Sequence, residues 1–441
     1  MRHRVVIPFV VALALVSVWG CGPKVAPLSR GVAPNLLLIV ADDLGWGDVG
    51  CYGSPDARTP RLDAFANEGV RLTDFTVASP MCSPSRASLL SGLAPKRHGL
   101  LQALVQGNPD EGLDPSLPLL SEWLGGAGYA TGLVGKWHLG LSEDRRPLAR
   151  GFDRFFGMLS ASSGYFQHRY RGTPDLWDGA DPITRDGVYS TELFTEAAVE
   201  FVEDHRDQAW FLMLSYNAPH LSDDRSTIPS PSRFKSLFDG VDLSPERRDF
   251  LAATAAFDEG LGHVLDAIDR LDLRQDTLVV VLSDNGPLAP WGSAGPWKGG
   301  KDTLDEGGLR VPCVVRWPDR FPAGAVCDEA VTAMDLTATF LVAAGQEPPD
   351  LDGVDVAATL AGDAPSPHEV LVWDHPSRRV GPDGQRIHDR VVRKGGWRLT
   401  VHQDGSSEIH LLLNDPGQQM DRSDDCGNLV AELSAYLSSS P

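Results

Sequence analysis

The sequence predicts an α/β fold, a doubly wound and mostly parallel central sheet flanked by helices, followed by a small C-terminal unit. Three observations support this prediction. Apolar runs of strand length recur along the first three quarters of the chain, and segments with helical periodicity lie between them. From about Pro365 the pattern changes to short strand-like segments separated by turn residues. Strands that alternate with helices are typical of α/β sheets.

The first residues have the pattern of a secretory signal peptide. Arg2 and Arg4 precede a mostly apolar run from Val5 to Val18, and the small Gly20 stands before Cys21. The run is shorter than the ~20 residues that a bilayer-spanning helix needs. Its ending is similar to a bacterial lipobox, in which Cys21 would be lipidated and anchor the chain to a membrane. The alternative is ordinary cleavage and release.

The remaining organisation follows from length and composition. At 441 residues with 42% hydrophobic residues, the chain can form one large core and a smaller second unit. We predict a signal peptide at 1–20, a tether at 21–33, a main domain at 34–364 and a C-terminal α+β subdomain at 365–441. An exported protein of this kind is expected in the periplasm, in the outer membrane or at the cell surface.

The charge of the chain excludes one class of partner. The formal net charge is −21, so the field of the protein repels nucleic acids and anionic membrane surfaces. An anionic substrate therefore requires a local cluster of basic side chains.

Five apolar runs give the main strands, and their continuous apolar character is typical of parallel strands buried on both faces. They are Asn35–Val40, Ala130–Val134, Trp210–Leu214, Thr277–Leu282 and Val311–Val315. Helical patterns cover 61–68, 117–127, 191–205 and 251–271. In the C-terminal unit, strands are predicted at 370–373, 390–393, 397–402 and 409–413, and a helix at 428–437.

Residues that can bind a metal ion or an anion follow four of these runs directly. They are Asp42 and Asp43, Lys136 and His138, Asn217 and His220, and Asp284 and Asn285. The carboxyl ends of parallel strands meet at one edge of the sheet, so these groups are expected to converge. Asp42, Asp43, Asp284 and Asn285 offer only oxygen ligands, which favours Ca²⁺ over Zn²⁺, with Mg²⁺ as the rival metal.

The segment from Cys82 to Gly92 predicts a helix that begins next to Cys82, with Pro84 in its first turn. A helix N-terminus favours an anion, and Arg86 follows one turn later. A cysteine in this position alone is more often a small buried hydrophobic residue. The spacing of Cys82, Pro84 and Arg86 makes a catalytic role the stronger interpretation.

These residues resemble a known family. The segment Cys82-Ser83-Pro84-Ser85-Arg86, followed by Ala87 to Gly92, resembles the signature of type I sulfatases, which belong to the alkaline phosphatase superfamily. Further segments are similar in the same order along the chain: 34–45, 128–140, 218–220, 283–286, 298–301 and 306–312. The resemblance implies the sulfatase fold for residues 34–364 and hydrolysis of the sulfate ester of a glycan or a small molecule.

The resemblance also implies a cofactor and roles for individual residues. A maturation enzyme would oxidise Cys82 to formylglycine, whose hydrate would bind the Ca²⁺ that Asp42, Asp43, Asp284 and Asn285 hold. Arg86, Lys136 and Lys301 would neutralise the sulfate oxygens. His220 and Lys301 would help the alcohol leave, and His138 would deprotonate the second hydroxyl of the formylglycine hydrate.

Some positions depart from the family pattern, and they concern the substrate. Asp302 and Asp305 place acids close to the expected anion site, and Leu221 to Asp224 replaces a segment that often contains proline. The segment from Leu159 to Asp186 contains the aromatic residues Tyr165, Phe166, Tyr170 and Trp177, which could stack on a sugar or aryl ring.

Two other functions remain open on the sequence alone. One is a phosphomonoesterase or phosphonate monoester hydrolase of the same superfamily, because phosphoryl and sulfuryl groups have similar shapes and need similar binding groups. The other is a surface protein that binds sulfated glycans without catalysis and keeps Cys82 as a thiol.

Overall fold

The computed structural model describes residues 33–105, 110–374, 376 and 387–439. The predicted signal peptide, Cys21 and all but the last residue of the tether lie outside these ranges. Among the described residues, no helix combines the length and the apolar content that crossing a bilayer requires.

Strands and helices alternate through most of the chain, as predicted. Within the described ranges the strands are β1 (Asn35–Ala41), β2 (Val70–Leu72), β3 (Phe75–Thr76), β4 (Ala130–Lys136), β5 (Arg154–Met158), β6 (Arg169–Tyr170), β7 (Thr173–Pro174), β8 (Trp177–Asp178), β9 (Asp181–Pro182), β10 (Trp210–Ser215), β11 (Thr277–Ser283), β12 (Cys313–Arg316), β13 (Ala325–Cys327), β14 (Val331–Thr332), β15 (Leu371–Asp374), β16 (Arg390–Lys394), β17 (Trp397–Val401) and β18 (Ser407–Leu411). The helices are α1 (Pro60–Glu68), α2 (Cys82–Ser91), α3 (Pro95–His98), α4 (Leu120–Gly126), α5 (Ser190–Asp204), α6 (Ser232–Lys235), α7 (Pro245–Arg270), α8 (Glu306–Leu309), α9 (Ala333–Ala343), α10 (Ala357–Ala361) and α11 (Gly427–Ser439).

The central sheet has the order β13-β2-β12-β11-β1-β10-β4-β5-β8-β9. The five strands from β11 to β5 in this order are parallel, whereas β12 and β8 pair antiparallel with their inner neighbours. The predicted α/β fold with a mostly parallel sheet is confirmed. The fifth apolar run, β12, is nevertheless an antiparallel strand, because the chain reaches it through a loop and the short α8 rather than through a long crossover helix.

The sheet is buried on both faces, which explains the continuous apolar runs. In β1, Leu37 and Ile39 face one core, and Leu36 and Leu38 face the other. The first core includes α5 and α7, and the second includes α2, α4 and α9. Layers of helix on both faces are what a parallel sheet requires.

A second, antiparallel sheet, β15-β16-β17-β18, forms the C-terminal unit, with α11 packed on it through Leu433 and Leu437. This unit contacts the main domain directly. The Trp373 indole donates to the carbonyl of Val77 (2.9 Å), and Arg393 binds both carboxylate oxygens of Asp74 (2.6 and 2.8 Å). The predicted small antiparallel sheet with a closing helix is confirmed.

The cysteines of the described part of the chain are all free: Cys51, Cys82, Cys313, Cys327 and Cys426. Cys313 on β12 and Cys327 on β13 are both paired with Leu72, on opposite sides of β2. Two strand spacings separate their backbones by ~9–10 Å, which is beyond the reach of a disulfide.

His98 links α2 to α3, and its burial predicts a pH-dependent contribution to stability. Its Nε2 lies 3.0 Å from the hydroxyl of Ser88, and its Nδ1 accepts from the backbone N–H of Leu100 (3.2 Å). Burial lowers the pKa of His98 to about 4, so the folded protein holds it neutral where the unfolded chain is already protonated. A histidine whose pKa is lowered in the folded state contributes its full stability above pH ~6.5. The fold loses this contribution as the pH falls towards 4.

Because of His98, we expect the free energy of unfolding to be about 2 kcal/mol lower at pH 5 than at pH 7. Urea unfolding of the wild type and of His98→Gln at both pH values measures this contribution, which the variant should lack. His263, exposed on α7, is the matched control, and His263→Gln should retain the wild-type difference. An equal pH difference in wild type and His98→Gln would contradict the assignment.

Candidate active site

Four parallel strands deliver the candidate residues to one edge of the sheet. The register pairs Ala41 with Ser283 and Val40 with Ser215, so β1, β10 and β11 end side by side. Asp42 and Asp43 follow β1, and Asp284 and Asn285 follow β11. The predicted convergence at the carboxyl edge is therefore what the structure contains.

The backbone at this edge is shaped for close contacts. Asp43 (φ 66°) and His138 (φ 61°) both adopt the left-handed conformation, which is uncommon for residues other than glycine. Gly135, next to Lys136, has φ 102°, and a Cβ there would clash with the carbonyl oxygen of Ser215. Strained positions of this kind concentrate at functional sites.

Cys82 is the first residue of α2 and is 3% exposed. The prediction that this cysteine stands at a helix N-terminus is confirmed. Burial by itself raises the pKa of the thiol, but Lys136 and Lys301 outweigh it, and His138 and His220 interact with the sulfur. The pKa of Cys82 therefore lies well below its ordinary value, and the surroundings favour an anion.

The acidic residues form one cluster with Cys82. Potential ligand atoms of Asp42, Asp43, Cys82 and His220 all lie within 4.8 Å of one another. Asp284 joins them, because the backbone N–H of Asp43 donates to its Oδ1 (3.2 Å).

Asn285 belongs to the same cluster through Asp43. The Asn285 amide donates to Asp43 Oδ1 (2.7 Å). Two buried oxygens of the cluster, Asp42 Oδ1 and Asn285 Oδ1, have no hydrogen-bond partner in the described part of the chain. Unsatisfied buried oxygens are costly unless a cation binds them, so this donor set fits a hard metal ion.

Two lysines contact the acidic cluster. Lys136, fully buried, binds Asp42 Oδ2 (2.6 Å), and Lys301 binds Asp43 Oδ1 (2.5 Å). Burial opposes the charge of Lys301, but Asp43 and Cys82 raise its pKa above the ordinary value. Burial likewise opposes the charge of Asp42, and Lys136 keeps its pKa below the ordinary value. The site therefore brings one buried and one partly buried cation into contact with buried anions.

Arg86 contacts protein groups on all its nitrogens. Its Nε and Nη2 both lie 2.8 Å from Asp284 Oδ2, and its Nη1 donates to Ser215 Oγ (2.5 Å) and to the Lys136 carbonyl (3.2 Å). Burial and the neighbouring Asp42 raise the pKa of Asp284 to about 7, although Arg86 opposes this shift. Arg86 thus holds Asp284 in place, while its predicted contact with sulfate stays a prediction.

His138 and His220 differ in which ring nitrogen forms a hydrogen bond with a backbone carbonyl. His138 Nε2 lies 3.0 Å from the Leu104 carbonyl, so Nε2 carries the hydrogen and Nδ1 keeps the lone pair. Burial lowers the pKa of His138 to about 4, which leaves the ring neutral at pH 7. In His220, Nδ1 lies 2.7 Å from the Leu221 carbonyl, and Nε2 lies 3.7 Å from Asp43 Oδ2.

Several residues at this edge were not predicted. Ser215 binds Arg86, and Ser283 Oγ accepts from the Leu44 N–H (3.0 Å) and donates to the Asn285 carbonyl (2.9 Å). Both serines end buried apolar strands, which is a signal that sequence inspection could have used.

The expectation that Tyr165 and Tyr170 stack on a substrate is wrong. Tyr165 is fully buried and Tyr170 is 5% exposed. The Tyr165 hydroxyl donates to the carbonyls of Asn217 (3.0 Å) and His220 (2.7 Å) and thereby supports the loop that carries His220. The Tyr165 ring packs in the core. Phe166 and Trp177 are partly exposed, and their stacking on a substrate stays a prediction.

The chain is similar to several known proteins. A family model described as Sulfatase matches residues 34–346. N-acetylgalactosamine-6-sulfatase of Sus scrofa is 35% identical over 79% of this chain and 69% of its own length. Arylsulfatase A of Bos taurus is 33% identical over 91% of this chain and 84% of its own length. The crystal structure of Ps i-CgsB in complex with k-i-k-neocarrahexaose is 28% identical, covers 92% of both chains and has a TM-score of 0.85.

Proposed function

Because this chain belongs to the sulfatase family and is a sulfuric ester hydrolase, we propose that it hydrolyses sulfated carbohydrates with a formylglycine made from Cys82 and a bound Ca²⁺. A sugar ester is supported by the names of its relatives, an N-acetylgalactosamine-6-sulfatase and a structure with a bound neocarrahexaose. Aryl sulfates are the second substrate class in this proposal.

One observation carries the proposal: potential ligand atoms of Asp42, Asp43, Cys82 and His220 lie within 4.8 Å of one another. A nucleophile and a metal must be adjacent for the metal to lower the pKa of the nucleophile. The buried Lys136 and the partly buried Lys301 lie at the same place and would provide the positive charge that a sulfuryl group needs.

The donor set supports Ca²⁺ as the metal. Asp42, Asp43, Asp284 and Asn285 would hold the ion, together with an oxygen of the modified Cys82. Three carboxylates and an amide oxygen suit the high coordination number of Ca²⁺, whereas Mg²⁺ usually takes one or two carboxylates and keeps several waters. The bound cation would stabilise negative charge on the reacting oxygens.

A formylglycine at position 82 would account for turnover. Its hydrate would supply one hydroxyl as the nucleophile for sulfur and a second hydroxyl whose deprotonation would release sulfate as the aldehyde re-forms, so no water would have to cleave an enzyme ester. The neutral His138, with Nδ1 as the free lone pair, is suited to accept that proton.

The remaining cations assist the departure of the alcohol. Arg86, Lys136 and Lys301 would neutralise the sulfate oxygens. His220, together with Lys301, would help the alcohol leave, and the doubly protonated form of His220 would donate a proton from Nε2 to the leaving oxygen. Because Nδ1 of His220 is hydrogen-bonded to the Leu221 carbonyl, Nε2 is the ring nitrogen that is directed into the site, towards Asp43. Arg86 would also hold Asp284, a proposed metal ligand, and favour its ionised form.

Matched esters test the proposal. Protein matured in its native host should release sulfate from 4-nitrophenyl sulfate or a sulfated sugar with a kcat/KM at least tenfold above that for 4-nitrophenyl phosphate, about 1.4 kcal/mol in transition-state binding. A faster phosphate reaction would replace the proposal by the phosphomonoesterase hypothesis. Binding of sulfated glycans without turnover of either ester, with an unmodified Cys82, would favour the non-catalytic hypothesis.

The location of the protein is also a proposal. The basic start, the apolar run and Cys21 support export and lipid attachment on the periplasmic side or at the cell surface. Such a location would give the enzyme access to glycans that are too large to enter the cell.

A further inference from the structure

Lys301 lies in a loop that two parts of the molecule hold. We call residues 298–306 the Lys301 loop. On the side of the main domain, the Lys301 N–H donates to the Pro287 carbonyl (2.9 Å) and the Asp302 N–H donates to the Pro80 carbonyl (3.1 Å). The Lys301 ammonium binds Asp43 (2.5 Å). The main domain thus fixes the centre of the loop.

The C-terminal unit holds the two ends of the same loop. The Lys298 N–H donates to the Pro416 carbonyl (3.4 Å), and the Glu306 N–H donates to Gln418 Oε1 (3.1 Å). Between them, Arg398 of β17 donates from Nη2 to the carbonyl of Leu304. A backbone carbonyl near the middle of the loop is therefore tied to the C-terminal sheet.

Arg398 is a buried charged residue, which is unusual for a side chain that only packs against its neighbours. It is 1% exposed, and its Nη1 lies 3.8 Å from Oε1 of the fully buried Glu306. Burial of a guanidinium is expensive. Within the described residues Nε and Nη1 of Arg398 have no hydrogen-bond partner, so the bond from Nη2 to the Leu304 carbonyl is the contact that orients this side chain. Arg310 (2.9 Å) and Arg393 (3.6 Å) share Glu306, so the carboxylate at the end of the loop is fixed from both domains.

We propose that Arg398 and Gln418 are positioning residues for the reaction, which hold the Lys301 loop so that the Lys301 ammonium reaches the sulfate ester. This inference rests on the proposed function, because it assumes that Lys301 acts on the substrate. The C-terminal unit would then serve the chemistry through its contacts with the Lys301 loop.

The first test measures the loop itself and does not depend on activity. Hydrogen exchange of the peptides covering 298–307 should be faster in Arg398→Lys and in Gln418→Ala than in the wild type. Arg316 is the matched control, because it is equally buried at 1% exposure but pairs with Glu68 on α1 (2.7 Å). Arg316→Lys should leave exchange in these peptides unchanged. Unchanged exchange in both loop variants would overturn the proposal.

The second test is kinetic. Arg398→Lys should lower kcat more than it raises KM, with a loss in kcat/KM of up to about 100-fold, the scale reported for a small misplacement of a catalytic group. The loss should be greater with phenyl sulfate than with 4-nitrophenyl sulfate, since the poorer leaving group depends more on Lys301. Gln418→Ala, the milder variant, should show the same pattern if Arg398→Lys does not fold. Equal losses with both esters would mean a merely structural role.

A double-mutant cycle with Lys301→Ala then assigns the effect to Lys301. If Arg398 acts through Lys301, adding Arg398→Lys to Lys301→Ala should cause little further loss. Losses that multiply would refute the assignment. A wild-type protein that releases no sulfate would instead refute the proposed function, and the exchange experiment would still decide whether the C-terminal unit holds the loop.

Discussion

Replacing Cys82 by alanine is expected to abolish sulfatase turnover, with kcat lower by about 10⁴-fold or more, as for loss of other catalytic nucleophiles. The physical reason is that alanine leaves no group at the start of α2 that can attack sulfur. The proposed metal ligands Asp42, Asp43 and Asp284 and the lysines remain, so substrate binding should persist. Sulfate release from 4-nitrophenyl sulfate, measured at equal protein concentration, gives the result.

Two controls make this result specific to Cys82. Cys426→Ala changes a half-buried cysteine in the C-terminal unit and should leave kcat at the wild-type value. The mass of the tryptic peptide that ends at Arg86 should show that Cys82 has lost one sulfur and two hydrogens and gained one oxygen. Wild-type activity in Cys82→Ala would refute the proposed nucleophile.

Removal of Ca²⁺ should have the second largest effect. Exhaustive chelation is expected to eliminate sulfate release, and Ca²⁺ should restore it more effectively than Mg²⁺. Asp43→Asn should weaken Ca²⁺ binding by more than the ~10- to 100-fold that loss of a supporting residue near a metal causes. Asp43 is critical because its carboxylate also contacts Lys301 and the Asn285 amide.

Isothermal titration with Ca²⁺ measures this affinity without any substrate. Asp335, a fully buried carboxylate that accepts from the Thr332 N–H (2.7 Å) at the start of α9, is the matched control. Asp335→Asn is expected to reduce stability and to keep the Ca²⁺ affinity. Full retention of Ca²⁺ binding in Asp43→Asn would remove Asp43 from the ligand set.

Much of the site was predictable because strand ends are local signals. Asp42 and Asp43 directly follow one apolar run, and Asp284 directly follows another, so a parallel sheet must bring them together. The start of α2 at Cys82 was predictable for a similar reason, since Pro84 and Arg86 stand within the first turns. The partners of Arg86 were not, because Ser215 and Asp284 are 129 and 198 residues away.

The sequence by itself determined the α/β class, the buried strands, the helix that begins at Cys82 and the family of the chain. These features depend on local periodicity, on helix-start chemistry and on motifs of a few residues. Only the tertiary structure decided that β2 separates β12 from β13, that Tyr165 packs in the core, and that Arg398 ties the C-terminal sheet to the Lys301 loop. Such contacts join segments far apart in the chain, and their energies depend on burial and distance, which short-range sequence patterns do not contain.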